Sequence, residues 1–218
     1  VLNVYTKEPE QQAQVCLIWM HGLGADASDM AGLSEQLLLE GTAIRHVFLD
    51  APVRPVTINN KMPMPAWYDI LDLKFIANED REGILAAEAQ IHQVIDTQIE
   101  QGIPPARIFL AGFSQGGAMA LRTALHREKV AGVICLSGYL PLAAECRPAL
   151  VKTAPMFIAY GRHDPLVLPA WSKLTVDWLA AAGYSNVLWK GYPMEHAVCA
   201  EEINDLSQWL GTQIKGEA

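Results

Sequence analysis

A chain of 218 residues, 51% apolar and 18% charged, has the size and balance of one globular α/β domain rather than a disordered or fibrous protein. Its formal charge of −8 argues against nucleic acid and anionic membrane surfaces as partners. The cysteines Cys16, Cys135, Cys146 and Cys199 form neither Cys-x-x-Cys nor a Cys/His metal spacing, which points away from a metal site and towards a reducing, cytoplasmic compartment. No apolar run approaches the roughly 20 residues that cross a bilayer, so stable membrane insertion is not expected.

The first strand-like run is Val15–Met20, apolar throughout and followed by His-Gly-Leu-Gly at 21–24. A second covers 44–49. The segment 51–78 then breaks the rhythm: Pro52, Pro55, Pro63 and Pro65 interleave with Met62, Met64 and Trp67 in no clean period. So long a connection after a strand suits a lid or the wall of an apolar groove, with Met64 and Trp67 as candidate substrate contacts. From 79 to 101, Ile84, Ile91, Val94, Ile95 and Ile99 share one helical face. A strand at 107–111 leads into Gly-Phe-Ser-Gln-Gly-Gly at 112–117, and good helix formers fill 118–125. Further strands are expected at Gly132–Leu136, 156–160 and 186–190, and a last helix at about 197–212. Strands alternating with helices predict a single α/β domain, 1–218, with a mainly parallel sheet and helices on both faces.

The run at 112–117 contains Gly-x-Ser-x-Gly between a strand and a helix. A serine on such a turn has its Oγ lifted clear of the backbone, and the following N–H faces a developing oxyanion. The rival reading is an ordinary glycine-rich turn with a solvent-facing serine. A base and an acid are then needed on later loops, in the order serine, acid, histidine. Asp164 follows the strand at 156–160 and His196 follows that at 186–190, which puts both on the sheet edge that carries Ser114. His196 would take and return the hydroxyl proton while Asp164 fixes the imidazole tautomer. Asp164 alone could instead cap a helix led by Pro165. His163 precedes the position expected of the base, His92 and His126 fall in helices where they read as solvated, and His46 flanks a strand. Glu195 would serve as the acid only if its loop folded back. Two converging N–H donors complete the pattern: Gln115, next to the serine, and Leu23, in the loop after the first strand.

Six separated motifs together resemble the carboxylesterase/acyl-protein thioesterase (phospholipase/carboxylesterase) family of α/β-hydrolases. They are His-Gly-Leu-Gly at 21–24, Arg-Pro-Val-Thr at 54–57 leading to Trp-Tyr-Asp at 67–69, and Gly-Phe-Ser-Gln-Gly-Gly at 112–117. Further on come Leu-Ser-Gly-Tyr-Leu-Pro at 136–141, Gly-Arg-His-Asp-Pro-Leu-Val at 161–167 and Tyr-Pro-Met-Glu-His at 192–196. The resemblance implies an α/β-hydrolase fold and a serine hydrolase without metal or cofactor. It assigns the triad to Ser114, Asp164 and His196 and the oxyanion donors to Leu23 and Gln115. It also puts Leu166 and Val167, with the 51–78 loop, on the acyl groove. The chain departs from the family pattern at Asn59, Asn60 and Lys61, where glycine is usual, and across 71–82.

The expected activity is hydrolysis of carboxylic esters of small to medium acyl chain through an acyl-serine. The alternatives are an acyl-protein thioesterase or a lysophospholipase, with acylated protein or lysophospholipid as substrate. A serine peptidase fits less well, and a non-catalytic binding protein on the same shell would lack a triad member.

Overall fold

The computed structural model describes residues 2–39, 41–72 and 76–216. Its strands are β1 (Asn3–Lys7), β2 (Val15–Met20), β3 (Ile44–Asp50), β4 (Val53–Val56), β5 (Met62–Pro65), β6 (Ile108–Phe113), β7 (Gly132–Leu136), β8 (Met156–Gly161) and β9 (Val187–Tyr192). Its α-helices are α1 (Ala27–Ser34), α2 (Arg81–Glu100), α3 (Gln115–Leu125), α4 (Pro169–Ala181) and α5 (Ala200–Lys215). Seven strands form one sheet in the order β1-β3-β2-β6-β7-β8-β9, parallel except for β1.

The continuous apolar runs are explained by burial on both faces. Successive side chains of a strand point to opposite faces. Cys16, Ile18 and Met20 of β2 therefore enter a core with Ile84, Ile91 and Ile95 of α2 and Met119 and Leu121 of α3. Val15, Leu17 and Trp19 enter the opposite core with Met30 and Leu33 of α1 and Leu206 and Leu210 of α5. This is the α/β-hydrolase architecture expected from the sequence.

Strand order reverses between β2 and β6. From there the sheet extends one way through β3 to β1 and the other way through β7 and β8 to β9. In open α/β sheets ligands bind at such a switch point, beyond the carboxyl ends of the strands. The loops after β2, β6, β8 and β9 all emerge at that edge.

The sequence does not reveal β1, an antiparallel edge strand with all five residues exposed. Nor does it reveal the β4–β5 hairpin inside 51–78, whose prolines mask any strand signal. Asn60 and Lys61 there take φ of 54° and 59°, the left-handed geometry that glycine would otherwise supply. Residues 73–75, part of the segment expected to form a lid, lie outside the described residues. His126 is not simply solvated: its Nδ1 meets Glu88, which also pairs with buried Arg122 at 2.8 Å and faces His92 at 3.6 Å.

Candidate active site

Ser114 follows β6 directly and precedes the first residue of α3, with φ 56° and ψ −121°. A non-glycine residue held there carries on the order of 1–3 kcal/mol of backbone strain, offset by its surroundings. Its N–H donates to the Leu136 carbonyl at 2.8 Å and its carbonyl accepts from Ala118 at 3.0 Å, which fixes the turn at both ends. Close packing explains the flanking glycines. A Cβ on Gly112 would lie 2.3 Å from the Gly116 carbonyl carbon, and one on Gly116 would lie 2.1 Å from the Met20 carbonyl oxygen.

His196 Nε2 stands 2.8 Å from Ser114 Oγ, and its Nδ1 stands 2.6 Å from Asp164 Oδ2. Asp164 is 3% exposed, and its other oxygen accepts the N–H groups of Leu166 at 2.8 Å and Val167 at 2.9 Å. The carboxylate is thus oriented on both sides. It does not cap a helix: α4 starts at Pro169, and the Asp164 side chain instead closes the turn ahead of it. The loops bearing acid and histidine are joined by Arg162 N–H to the Tyr192 carbonyl at 2.8 Å and His163 N–H to the Met194 carbonyl at 3.1 Å. His163 and Glu195 are both exposed residues. The Phe113 ring packs on His196 with centroids 4.8 Å apart and restricts the imidazole from the side.

Beneath the loop at 21–24 lies a polar network that the sequence does not reveal. Ala51 N–H donates to His21 Nε2 at 3.0 Å, so the ring proton sits on Nδ1, which is 2.7 Å from the Gly22 carbonyl. The Trp67 indole N–H donates to the His21 carbonyl at 2.9 Å. The Gln115 side chain accepts from Trp67 N–H at 2.7 Å and donates to the Tyr68 carbonyl at 2.8 Å. Gly24 N–H donates to the Pro65 carbonyl at 2.8 Å. The turn after β2, the end of the hairpin and the start of α3 are therefore one hydrogen-bonded unit. Partners 48 residues apart leave no local sequence signal.

Ser114, His196, Leu23 and Gln115 line one cavity of about 320 Å³, together with Leu166, Val167, Ile58, Ile70, Tyr68 and Tyr139. The sequence points to Trp67 and Met64 as groove contacts; the structure does not put them there. Trp67 is fully buried as the strut under His21, because an indole with a polar N–H is best held where that group has an acceptor. Met64 packs on the core beside Asn59, whose amide nitrogen is 3.3 Å from its sulfur. Ile58, Ile70, Tyr68 and Tyr139 take the lining positions instead. Among the described residues no three His, Cys, Asp or Glu side chains are grouped to hold a metal ion, and no helix is long and apolar enough to cross a membrane.

A general model of the phospholipase/carboxylesterase family matches residues 3–214. Acyl-protein thioesterase 1 of Neurospora crassa is 38% identical over 208 residues, covering 89% of this chain and 84% of that protein. Among solved structures, Zea mays acyl-protein thioesterase 2 superposes with a TM-score of 0.84 at 28% identity, covering 97% of this chain and 99% of that one. Arabidopsis thaliana SOBER1 gives 0.84 and 28%, covering 93% and 100%. The matched span takes in every motif quoted above, from the turn after β2 to the loop before α5. The chain is a hydrolase of the phospholipase/carboxylesterase family, built on the α/β-hydrolase fold.

Proposed function

We propose that this hydrolase cleaves carboxylic esters and thioesters by acyl transfer through Ser114. The observation that carries the reading is the unbroken chain from Ser114 Oγ to His196 Nε2 at 2.8 Å and from His196 Nδ1 to Asp164 Oδ2 at 2.6 Å. As Oγ attacks the acyl carbon, its proton passes to His196 Nε2, and buried Asp164 stabilises the imidazolium that forms. The oxyanion takes hydrogen bonds from the N–H groups of Leu23 and Gln115, each worth about 2.7–4 kcal/mol in comparable sites. Collapse of the tetrahedral adduct expels the alcohol or thiol, which takes the proton back from His196. Water, deprotonated by the same imidazole, then attacks the acyl-serine, and Oγ leaves with the proton.

The 320 Å³ cavity and its apolar lining favour a small to medium acyl group. The thioesterase names of relatives covering most of the chain support acylated proteins as substrates alongside simple esters. The insertion at 51–78 contributes Ile58 and Ile70 to the wall, in keeping with a groove-forming role. Four unpaired cysteines accord with a cytoplasmic setting.

Ser114→Ala tests the reading. It should abolish labelling by a fluorophosphonate probe and lower ester turnover by on the order of 10⁶. Undiminished labelling of that variant would overturn the assignment. Comparing kcat/KM for matched ester and thioester pairs, including an acylated peptide, decides between general esterase and protein thioesterase.

A further inference from the structure

A second cavity, of about 430 Å³, lies behind the first. Trp171, Leu174, Thr175 and Trp178 form one side of it, at the i, i+3, i+4, i+7 spacing of a single α4 face. Leu140 and Leu142 form the other. Two carboxylates border it and both are engaged: Glu79 has both oxygens 3.0 Å from the Leu142 N–H, and Glu145 accepts from Arg81 at 2.8 Å. The space is therefore mainly apolar, yet it does not line the reacting serine. Tyr139 belongs to both cavities and is 2% exposed, so it is the partition between them.

The partition is firmly held. The Tyr139 hydroxyl is 3.0 Å from that of Tyr68, another wall of the first cavity, and both are buried. Its ring meets Trp171 edge-on with centroids 6.1 Å apart. The next residue, Leu140, donates its N–H to Thr175 Oγ1 at 2.9 Å. One further along, the Pro141 carbonyl accepts from Arg122 at 3.1 Å, and Arg122 is itself anchored by Glu88. A wall fixed at its tip, its face and its backbone does not swing aside to admit a chain.

We propose that Tyr139, clasped by Tyr68, is the specificity-determining end wall of the acyl groove, and that the cavity behind it is an apolar extension which the wild-type chain withholds from its substrate. The inference rests on the ester and thioester reading above. At about 30 Å³ per carbon-sized group, the first cavity takes an acyl chain of roughly ten atoms and the second has room for a further ten or more. Opening the wall lets longer chains bury methylenes that now stay in water. Each is worth about fourfold in kcat/KM where it finds apolar contact.

The test is a series of p-nitrophenyl esters from acetyl to palmitoyl, assayed on wild type, Tyr139→Ala and the milder Tyr139→Leu. Wild type should peak at medium length and decline beyond it. Tyr139→Ala should move the peak longer by several methylenes and raise the palmitoyl-to-acetyl ratio of kcat/KM at least tenfold, with Tyr139→Leu in between. Adding Ala143→Trp, which fills the second cavity from its rim, should pull the ratio in Tyr139→Ala back towards wild type. An unmoved peak in both active Tyr139 variants would overturn the proposal, and so would failure of Ala143→Trp to reverse the shift. A wild-type enzyme inert on every ester and thioester would instead strike down the hydrolytic reading itself.

Discussion

Gln115 offers the sharpest test of the network under the site. Its side chain satisfies Trp67 N–H at 2.7 Å and the Tyr68 carbonyl at 2.8 Å, and all three residues are buried. Gln115→Met keeps the length of the side chain while removing both hydrogen-bonding groups, so the change isolates the polar contribution from cavity formation. A buried backbone group left without a partner costs about 1–3 kcal/mol, and two of them cost about 2–6 kcal/mol. That is a large part of the roughly 5–15 kcal/mol by which a domain is stable. For a chain of this size each kcal/mol lowers the melting temperature by about 2–4 °C, which predicts a fall of about 4–24 °C. Urea unfolding at equilibrium measures the free energy directly, and thermal melting checks it. The backbone N–H of Gln115 stays at the head of α3, so folded Gln115→Met should still react with a fluorophosphonate. A loss under about 1 kcal/mol would mean that the two backbone groups have other partners and that Gln115 does not hold the network together.

Further outcomes follow from the same geometry. Asp164→Asn should lower kcat by on the order of 10⁴ with little change in melting temperature, since the amide favours the wrong imidazole tautomer. Gly116→Ala should destabilise by about 3 kcal/mol or more, because its Cβ would meet the Met20 carbonyl oxygen at 2.1 Å. Gly211→Ala, on α5 with nothing within 4 Å of the new Cβ, should stabilise by about 0.5–1 kcal/mol in the same melts. Glu202 is fully buried at the start of α5, and burial pushes its carboxyl from 4.5 up to about 8. Its folded form holds the proton more tightly, so its contribution is complete below pH 4.5 and is lost as pH rises through 8. The stability of Glu202→Gln relative to wild type, read by urea titration, should therefore rise across that window; a flat difference would exclude the linkage.

The sequence is most informative where the chain is buried on both faces. Val15–Met20 and Gly132–Leu136 match their strands end to end because every residue in them is interior, and apolar composition records that burial. The face of α2 is legible for the same reason. Ser114, Asp164 and His196 could be proposed together because Ser114 is the residue after β6 and the other two lie in the short loops just past β8 and β9, and a parallel sheet gathers such loops on one edge. The losses have equally physical causes. β1 is exposed along its length, so nothing in its residues reports pairing. Trp67 and Met64 look like groove residues by composition, yet composition does not say which face of a loop meets the core. The side-chain roles of Gln115 and His21 depend on backbone groups tens of residues away. The Tyr68–Tyr139 contact spans 71 positions and needs the fold before it exists.

Every acyl group that the enzyme hydrolyses should pass through Ser114 Oγ. The most direct measurement is rapid mixing with a p-nitrophenyl ester, followed by acid quench and mass spectrometry of the intact chain and its peptides. A stoichiometric burst of nitrophenol should appear, with an acyl adduct on Ser114 that decays as turnover proceeds. Steady hydrolysis with the adduct on another residue, or with no adduct at any mixing time while the burst persists, would contradict that route.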